Sequence, residues 1–213
     1  MKFKKFLLKH WKSFTAVLAV LIATTVGVVI VKAATVSLSV DVPQIVFTNT
    51  SQVVTVNAQA TIIGATSVSG TYVWTMADQN VASVTYMDGV GTVKPLKGGK
   101  TKLTVGILVD TYYDSKDIPI TVPLTIDTTQ ANRILRPGDP AVDVSCNAAS
   151  SKNVEWSSSN SSIATVTANG VNASITPVSG GKVTITALIP EDGLSASFEL
   201  TVGVSIDETE VTV

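Results

Sequence analysis

Apolar and polar residues alternate with a period of two along most of the chain after residue 35. The pattern is clear in residues 36–41 (VSLSVD), 52–60 (QVVTVNAQA) and 182–189 (KVTITALI), and many of these positions hold β-branched residues. Such alternation is typical of half-buried β-strands. No helical period appears in this part of the sequence, and turn residues recur about every ten positions. The pattern therefore predicts an all-β protein built from β-sandwiches.

Two stretches of the sequence are near-copies of one another. Residues 73–105 align without a gap on residues 155–187, so that matching residues lie 82 positions apart. The matching pairs include Trp74 and Trp156, Pro95 and Pro177, Gly98 and Gly180, Gly99 and Gly181, and Lys100 and Lys182. A fixed period in a chain of short strands indicates tandem copies of one module.

The repeat predicts where the modules begin and end. We expect one sandwich at residues 34–123 and a second at residues 124–203. Residues 204–213 begin with a sequence similar to that of residues 124–129. They are either the first strand of a truncated third copy or a free strand that adds to the sheet of a neighbouring subunit. The boundary near Pro123 lacks a Gly/Ser run, so we expect the two modules to abut in a fairly stiff rod.

Residues 1–33 have the pattern of an export signal. Five lysines in the first 12 residues precede an uncharged, mostly apolar run at residues 13–31. Compact residues at positions 31 and 33 indicate a signal peptide cleaved after Ala33. The run nearly reaches the length that spans a bilayer, so an uncleaved membrane-anchor helix is the alternative. In either case the lysines predict export of the remaining chain, with membrane contact only through this segment and only if it is not cleaved.

The charge and composition of the exported part exclude several function classes. From residue 34 onward the chain has 9 basic and 16 acidic residues, a net charge of −7. Nucleic acid is excluded as a partner, because phosphate binding needs clustered lysine and arginine. The only histidine, His10, precedes this part, which therefore lacks the commonest general base and transition-metal ligand. With no legible nucleophile–base or acid pair, we predict a non-enzymatic protein without a cofactor.

The second copy carries W-S-S-S-N-x-x-I-A-T-V, then N-G-V, then G-G-x-x-x-I-T-A, between Trp156 and Ala187. This pattern resembles the bacterial immunoglobulin-like domain, group 2. The first copy is similar but departs from it at residues 75–77, where Thr-Met-Ala replaces the serines. The resemblance implies a seven-stranded immunoglobulin-like sandwich in each copy, and it carries no catalytic residues.

The resemblance also implies a role outside the cell. Modules of this family occur in surface proteins of bacteria and phages, including adhesins, usually as stalk segments and sometimes as carbohydrate or receptor contacts. We therefore predict a cell-surface or secreted protein whose modules act as a stalk or spacer. The alternative is a binding module whose loops contact a carbohydrate or a receptor, such as a cell-wall or host glycan.

Three residues are predicted to be structural. Trp74 and Trp156 occupy the same place within a strand of each copy, which favours core packing over a role as ligand platforms. Cys146 is in phase with the apolar residues Val142 and Val144. A buried small apolar residue is therefore expected there, and an intermolecular disulfide is the alternative.

The segment DTYYDSKD at residues 110–117 is the best candidate for a binding tip. Tyr112 and Tyr113 are predicted ligand contacts, since loops carry function and tyrosine suits recognition. The segment also holds Asp110, Asp114 and Asp117, which could bind calcium. The glycine-bearing spacing of a calcium loop is absent, so a solvated loop without a metal ion is expected.

Overall fold

The computed structural model of the chain describes residues 21–24, 27–30, 35–64 and 69–204. All regular elements in these ranges are β-strands. β1 (Leu21–Thr24) and β2 (Gly27–Ile30) pair with each other as an antiparallel hairpin. The helix predicted as an alternative for residues 1–33 is therefore not formed in these eight residues, which are rich in β-branched side chains. The predicted cleavage site after Ala33 lies outside the described residues.

The described residues also bear on the predicted membrane anchor. Among them, no helix has the length and apolar character needed to cross a bilayer.

The first sandwich consists of two four-stranded sheets. One sheet contains, in spatial order, β3 (Thr35–Val40), β5 (Val54–Ile63), β8 (Val90–Pro95) and β7 (Ala82–Met87). The other contains β4 (Ile45–Val46), β10 (Tyr112–Val122), β9 (Gly99–Val109) and β6 (Thr71–Met76). Neighbouring strands are antiparallel except for β4, which runs parallel to β10. The edge strands β6 and β7 therefore face each other along one open side of the sandwich.

The second sandwich repeats this plan with fewer paired residues. One sheet contains, in spatial order, β11 (Ile126–Asp127), β12 (Val142–Cys146), β15 (Asn172–Pro177) and β14 (Ala164–Asn169). The other contains β13 (Glu155–Ser158), β16 (Gly181–Ile189) and β17 (Leu194–Val202). Leu135 bridges Val202 in parallel, in the place that β4 takes beside β10. The predicted all-β architecture of two tandem sandwiches is confirmed, while the limits at residues 34–123 and 124–203 stay a prediction.

Alternation along the strands places one row of side chains inside each sandwich. In β16, Val183, Ile185, Ala187 and Ile189 are all buried, and the residues between them are more exposed. β9 and β10 supply the matching row of the first core, with fully buried side chains that include Leu103, Ile107, Ile118 and Ile120. Burial of these rows is the main stabilising term of each sandwich.

Two-residue turns join the matching hairpins of the two copies. β7 and β8 close at the pair Met87–Val90, and β14 and β15 close at the pair Asn169–Asn172. The first turn position has positive φ in both copies, 50° at Asp88 and 59° at Gly170. The first turn is the Asp-Gly pair at residues 88–89, whereas the second turn, residues 170–171, lies one residue later than the Asn-Gly pair of its sequence.

The matching tryptophans differ in burial although both are held in the same way. Each indole N–H donates to a turn carbonyl, from Trp74 to Asp88 O at 3.0 Å and from Trp156 to Gly170 O at 3.1 Å. Trp74 is only 6% exposed, whereas Trp156 is half-buried. A Cβ at Gly91 would lie 2.5 Å from the Trp74 ring, and the matching position of the second copy is Ala173. The missing methyl group at Gly91 thus makes room for the buried indole.

We predict that Gly91→Ala destabilises the first sandwich by about 1–3 kcal/mol, because the added methyl group overpacks the core beneath Trp74. Denaturant unfolding followed by tryptophan fluorescence measures the loss, and the native emission should shift to the red as the indole is pushed outward. Ala173→Gly is the matched control. It should cost roughly 0.5–1 kcal/mol through backbone entropy, without a red shift. An unchanged native emission in Gly91→Ala would contradict the packing argument.

Candidate functional site at the junction of the sandwiches

The turn between β8 and β9 contacts the loop that follows β12. The Gly98 N–H donates to Asn147 O at 2.8 Å, and Gly98 O accepts from the Ala149 N–H at 2.9 Å. These bonds form a short parallel bridge between the two sandwiches. Ala149 is fully buried and belongs to the hydrophobic core of the first sandwich. We call residues 147–152 the junction loop, because this loop belongs to the second sandwich but completes the hydrophobic core of the first.

The close approach requires residues without a side chain. A Cβ at Gly98 would lie 2.8 Å from Asn147 Oδ1 and 3.1 Å from Pro123 O. Gly99 has φ +152°, and a Cβ there would lie 2.9 Å from the Val81 side chain. The Gly-Gly pair, which recurs in both copies of the repeat, thus forms the surface against which the second sandwich packs.

Asn147 fixes the segment that connects the sandwiches. Its side-chain Oδ1 accepts from the Thr125 N–H at 2.8 Å, and its Nδ2 donates to Pro123 O at 3.2 Å. The Asn147 N–H also donates to Thr125 O at 3.0 Å. Both ends of the connection are therefore held by one asparagine of the junction loop, which removes the freedom of a flexible linker.

A largely buried ion pair of the second sandwich binds backbone groups of the first sandwich. Lys152 Nζ lies 2.9 Å from Asp192 Oδ2, and the two side chains are only 12% and 8% exposed. Lys152 Nζ also donates to Lys100 O at 2.9 Å, while Asp192 Oδ2 accepts from the Lys100 N–H at 2.7 Å. Each charge therefore has a backbone partner across the junction, the arrangement that makes a buried pair tolerable and orientation-specific.

Asp78 of the first sandwich accepts a hydrogen bond from the Ser151 hydroxyl of the junction loop. Partial burial acts to raise the pKa of Asp78, but the hydrogen bonds from Ser151 and Asn80 and the charge of Lys152 outweigh it. The pKa of Asp78 therefore lies below its ordinary value. The ionised carboxylate favours the contact between the sandwiches.

The predicted binding tip forms part of a sheet rather than a projecting loop. The β9–β10 turn consists of residues 110–111, and both Tyr112 and Tyr113 begin β10 and are half-buried. The ring of Tyr113 covers Gly106 of β9. Ligand contact by these tyrosines stays a prediction.

The carboxylates of the same segment bind groups of their own sandwich. Asp114 accepts from the Leu38 N–H at 2.7 Å. Asp117 pairs with Lys102 at 2.8 Å and accepts from Thr104, and the hydrogen bond from Lys102 is the main cause of its lowered pKa. In the described part of the chain, no three His, Cys, Asp or Glu side chains come together as metal ligands would.

Cys146 is a free cysteine, 8% exposed, in a small core shared with Leu124 and Ala148. Burial raises the pKa of its thiol. A buried thiol with a raised pKa is a poor nucleophile, which disfavours disulfide exchange with another chain.

No pattern in the sequence marks the residues that form the junction, namely Asp78, Asn147, Ala149, Ser151, Lys152 and Asp192. The junction loop has no similar segment upstream, because the residues 82 positions before it, 65–70, read ATSVSG where the loop reads NAASSK. The one available signal was the repeated Gly-Gly-Lys, which marks the surface but not what covers it.

Residues 140–198 match the family model of the bacterial Ig-like domain (group 2). The predicted resemblance is thereby confirmed for the second sandwich. No curated protein matches the sequence.

Several solved structures align with most of this chain at low sequence identity. One is a C-terminal 282-residue fragment of intimin in complex with the intimin-binding domain of the translocated intimin receptor, at 15% identity and TM-score 0.36. The alignment covers 78% of this chain and 63% of that fragment. Domains 5–6 of the S-layer protein SbsC align at 15% identity and TM-score 0.32, over 80% of this chain and 98% of that one. A titin fragment, A168169, aligns at 10% identity and TM-score 0.43, over 80% and 99%.

We predict that Lys152→Met weakens the junction, because it leaves Asp192 largely buried without its cation. Loss of a hydrogen bond to a charged group costs about 1.5–3 kcal/mol, so the Gly98 and Ala149 amides should exchange with solvent roughly 10- to 100-fold faster. Amide hydrogen exchange resolved by residue measures this. Lys152→Met combined with Asp192→Leu should restore much of the protection, since an apolar pair can replace a buried ion pair. Unchanged exchange in the single variant would show that the pair does not hold the junction.

We further predict that acid loosens the junction. Asp78 has a pKa lowered from its ordinary value of 3.8, so its contribution is fully present above pH 3.8 and is lost as the pH falls through the lowered pKa. Small-angle scattering between about pH 6 and about pH 2.5, a range that spans the titration of an aspartate, should show the sandwiches separating, and the Asp78→Asn variant should lack this part of the change. Identical profiles for the two proteins would refute the assignment to Asp78.

Proposed function

We propose that this chain is a rigid, non-enzymatic spacer in an exported bacterial surface protein of the adhesin type. The observation that carries the proposal is the junction, in which Ala149 of the second sandwich lies in the core of the first. A spacer must hold what it carries at a fixed distance and angle. Direct contact, a clamped connection and a largely buried ion pair supply that rigidity without a flexible linker.

The family match and the charge support the surface location. Modules of the matched family, bacterial immunoglobulin-like group 2, occur in surface proteins. An acidic exported part with a net charge of −7 also suits a soluble extracellular chain. The lysine-rich start and apolar run at residues 1–33 would direct export. Membrane contact, on this proposal, is limited to that segment.

Glycan or receptor binding is the second candidate, and one surface of the first sandwich favours it. Tyr86 is 53% exposed and stacks on Trp74 with ring centroids 5.8 Å apart. The pair borders a groove of about 380 Å³ on the open side of the sandwich, with Gln79 and Ser83 among its lining residues. An exposed aromatic ring beside amide and hydroxyl groups suits a sugar, and Tyr86 is more accessible than Tyr112 or Tyr113.

The spacer proposal predicts that both sandwiches tumble as one body. NMR relaxation of residues 34–213 should give a single rotational correlation time for both, because the junction leaves no independent motion. In the Ala149→Asp variant, two shorter correlation times should replace the single one. The substitution places a charge in the first core while leaving the second sandwich's own core untouched. Two independent correlation times in the unmodified protein would overturn the proposal.

Binding is tested separately on a glycan array with the same protein. A bare spacer gives no signal. A signal that Tyr86→Ala abolishes, and that Tyr112→Ala leaves intact, would favour the second candidate and place its site in the groove.

A further inference from the structure

We propose that the far end of the second sandwich is a docking site for the junction loop of another immunoglobulin-like module. We call this surface the distal face; it consists of Ile163, Val178, Gly180, Gly181 and Lys182. The partner is a module whose loop carries the Asn-Ala-Ala-x-x-Lys chemistry of residues 147–152. The inference extends the proposed spacer function and rests on it for the kind of partner.

The distal face has the same backbone as the surface that is already covered in the first sandwich. The Val178 N–H donates to Ile163 O at 2.8 Å, as the Leu96 N–H donates to Val81 O at 2.9 Å. Gly181 has φ +153° and Gly99 has φ +152°. Each sandwich therefore contains a copy of the turn that, in the first sandwich, contacts the junction loop.

The two surfaces differ in what covers them. Gly98, Gly99 and Val81 are buried beneath the junction loop. Their counterparts Gly180, Gly181 and Ile163 are only half-buried. The one described side chain that would lie within 3 Å of a Cβ at Gly180 is that of Val204, whose Cγ1 would be 2.6 Å away, so no described loop covers this face as the junction loop covers Gly98. A side-chain-free turn backed by an apolar residue is suited to a small residue such as alanine.

The chain leaves both surfaces by the same path. A Cβ at Gly98 would lie 3.2 Å from Leu124 Cα, and a Cβ at Gly180 would lie 3.3 Å from Val204 Cα. The sequence after Val204, SIDET, is similar to the TIDTT that follows Leu124. Residues 205–213 lie outside the described residues. A module joined after Val204 would therefore begin in the position from which the second sandwich reaches Gly98.

The chemistry of the recognised loop follows from the occupied junction. An asparagine clamps the connection, an alanine enters the core at the glycines, and a lysine paired with an aspartate binds the backbone of Lys100. On the distal face, Lys182 occupies the backbone position that matches Lys100. Asn160 replaces Asp78 there, so docking at this face lacks the acid-sensitive carboxylate. A second copy of the whole chain fits poorly, because its own junction loop is already engaged with its first sandwich.

The test extends the chain itself. Residues 34–204 are followed by a second copy of residues 125–204, and amide hydrogen exchange is compared with that of residues 34–213. We expect the Gly180 and Lys182 amides to exchange at least about 10-fold more slowly in the extended chain, because they match the Gly98 and Lys100 amides that donate across the occupied junction. The matched variant carries Ala149→Asp in the appended copy only, and it should return both amides to their original rates while the appended tryptophan shows that the copy is folded.

Each other outcome counts against the proposal. Equal exchange in all three proteins, or protection that survives Ala149→Asp, would overturn docking by the loop. Protection that rises with protein concentration in the unextended chain would show that a second copy covers the distal face instead. The amides of Gly98 and Ala149 report separately on the existing junction, so a failure of the distal face is distinguishable from a failure of the spacer function.

Discussion

The close approach of two backbones at Gly98 is the constraint on which the arrangement of the sandwiches depends. A methyl group at this position would meet Asn147 Oδ1 at 2.8 Å, closer than real Cβ contacts allow. With glycine present, the junction loop forms a bridge to the turn and brings Ala149 into the first core. Each sandwich is small, near the lower size limit for a self-sufficient core, so a buried residue contributed by the neighbour stabilises the first sandwich as well as orienting it.

The polar contacts at the junction act on orientation more than on stability. Removing two charges from water costs free energy that their attraction only partly offsets, so a buried pair is a weak source of net stability. Lys152 and Asp192 nevertheless each bind a backbone group of Lys100, and those bonds are lost if the sandwiches rotate. Hydrophobic burial of Ala149 alone would tolerate several angles between the two sandwiches, whereas the ion pair is compatible with only one.

The internal repeat serves as a comparison within one molecule. The two sandwiches share matching hairpins and Gly-Gly turns, so positions that match in sequence but differ in burial can be compared directly. The methyl group of Ala173, where the first copy has Gly91, accompanies the greater exposure of Trp156 relative to Trp74. The greater exposure of Gly180 relative to Gly98 follows from the absence of a covering loop among the described residues. Burial in a repeat protein thus depends on the neighbouring module as well as on the repeat's own sequence.

Local patterns were sufficient for the fold and for little of the candidate site. Alternation and turn residues are short-range properties, and the 82-residue repeat can be found by aligning the sequence with itself, so they predicted the strands and the two tandem sandwiches. The membrane-anchor helix, the alternative to a cleaved signal peptide, is not formed at residues 21–24 and 27–30, which are strands, because strongly apolar runs rich in valine and isoleucine suit either element.

What only the tertiary structure decided is how residues far apart in sequence meet. Asp78 lies 73 residues from Ser151, and Lys100 lies 92 residues from Asp192. No periodicity connects such positions, and the junction loop lacks a counterpart in the first copy that an alignment could reveal. The sequence alone determined that two sandwiches exist and that glycines occupy the turn. Three-dimensional packing decided that this turn is a contact surface, because the fit depends on the shape of two folded bodies.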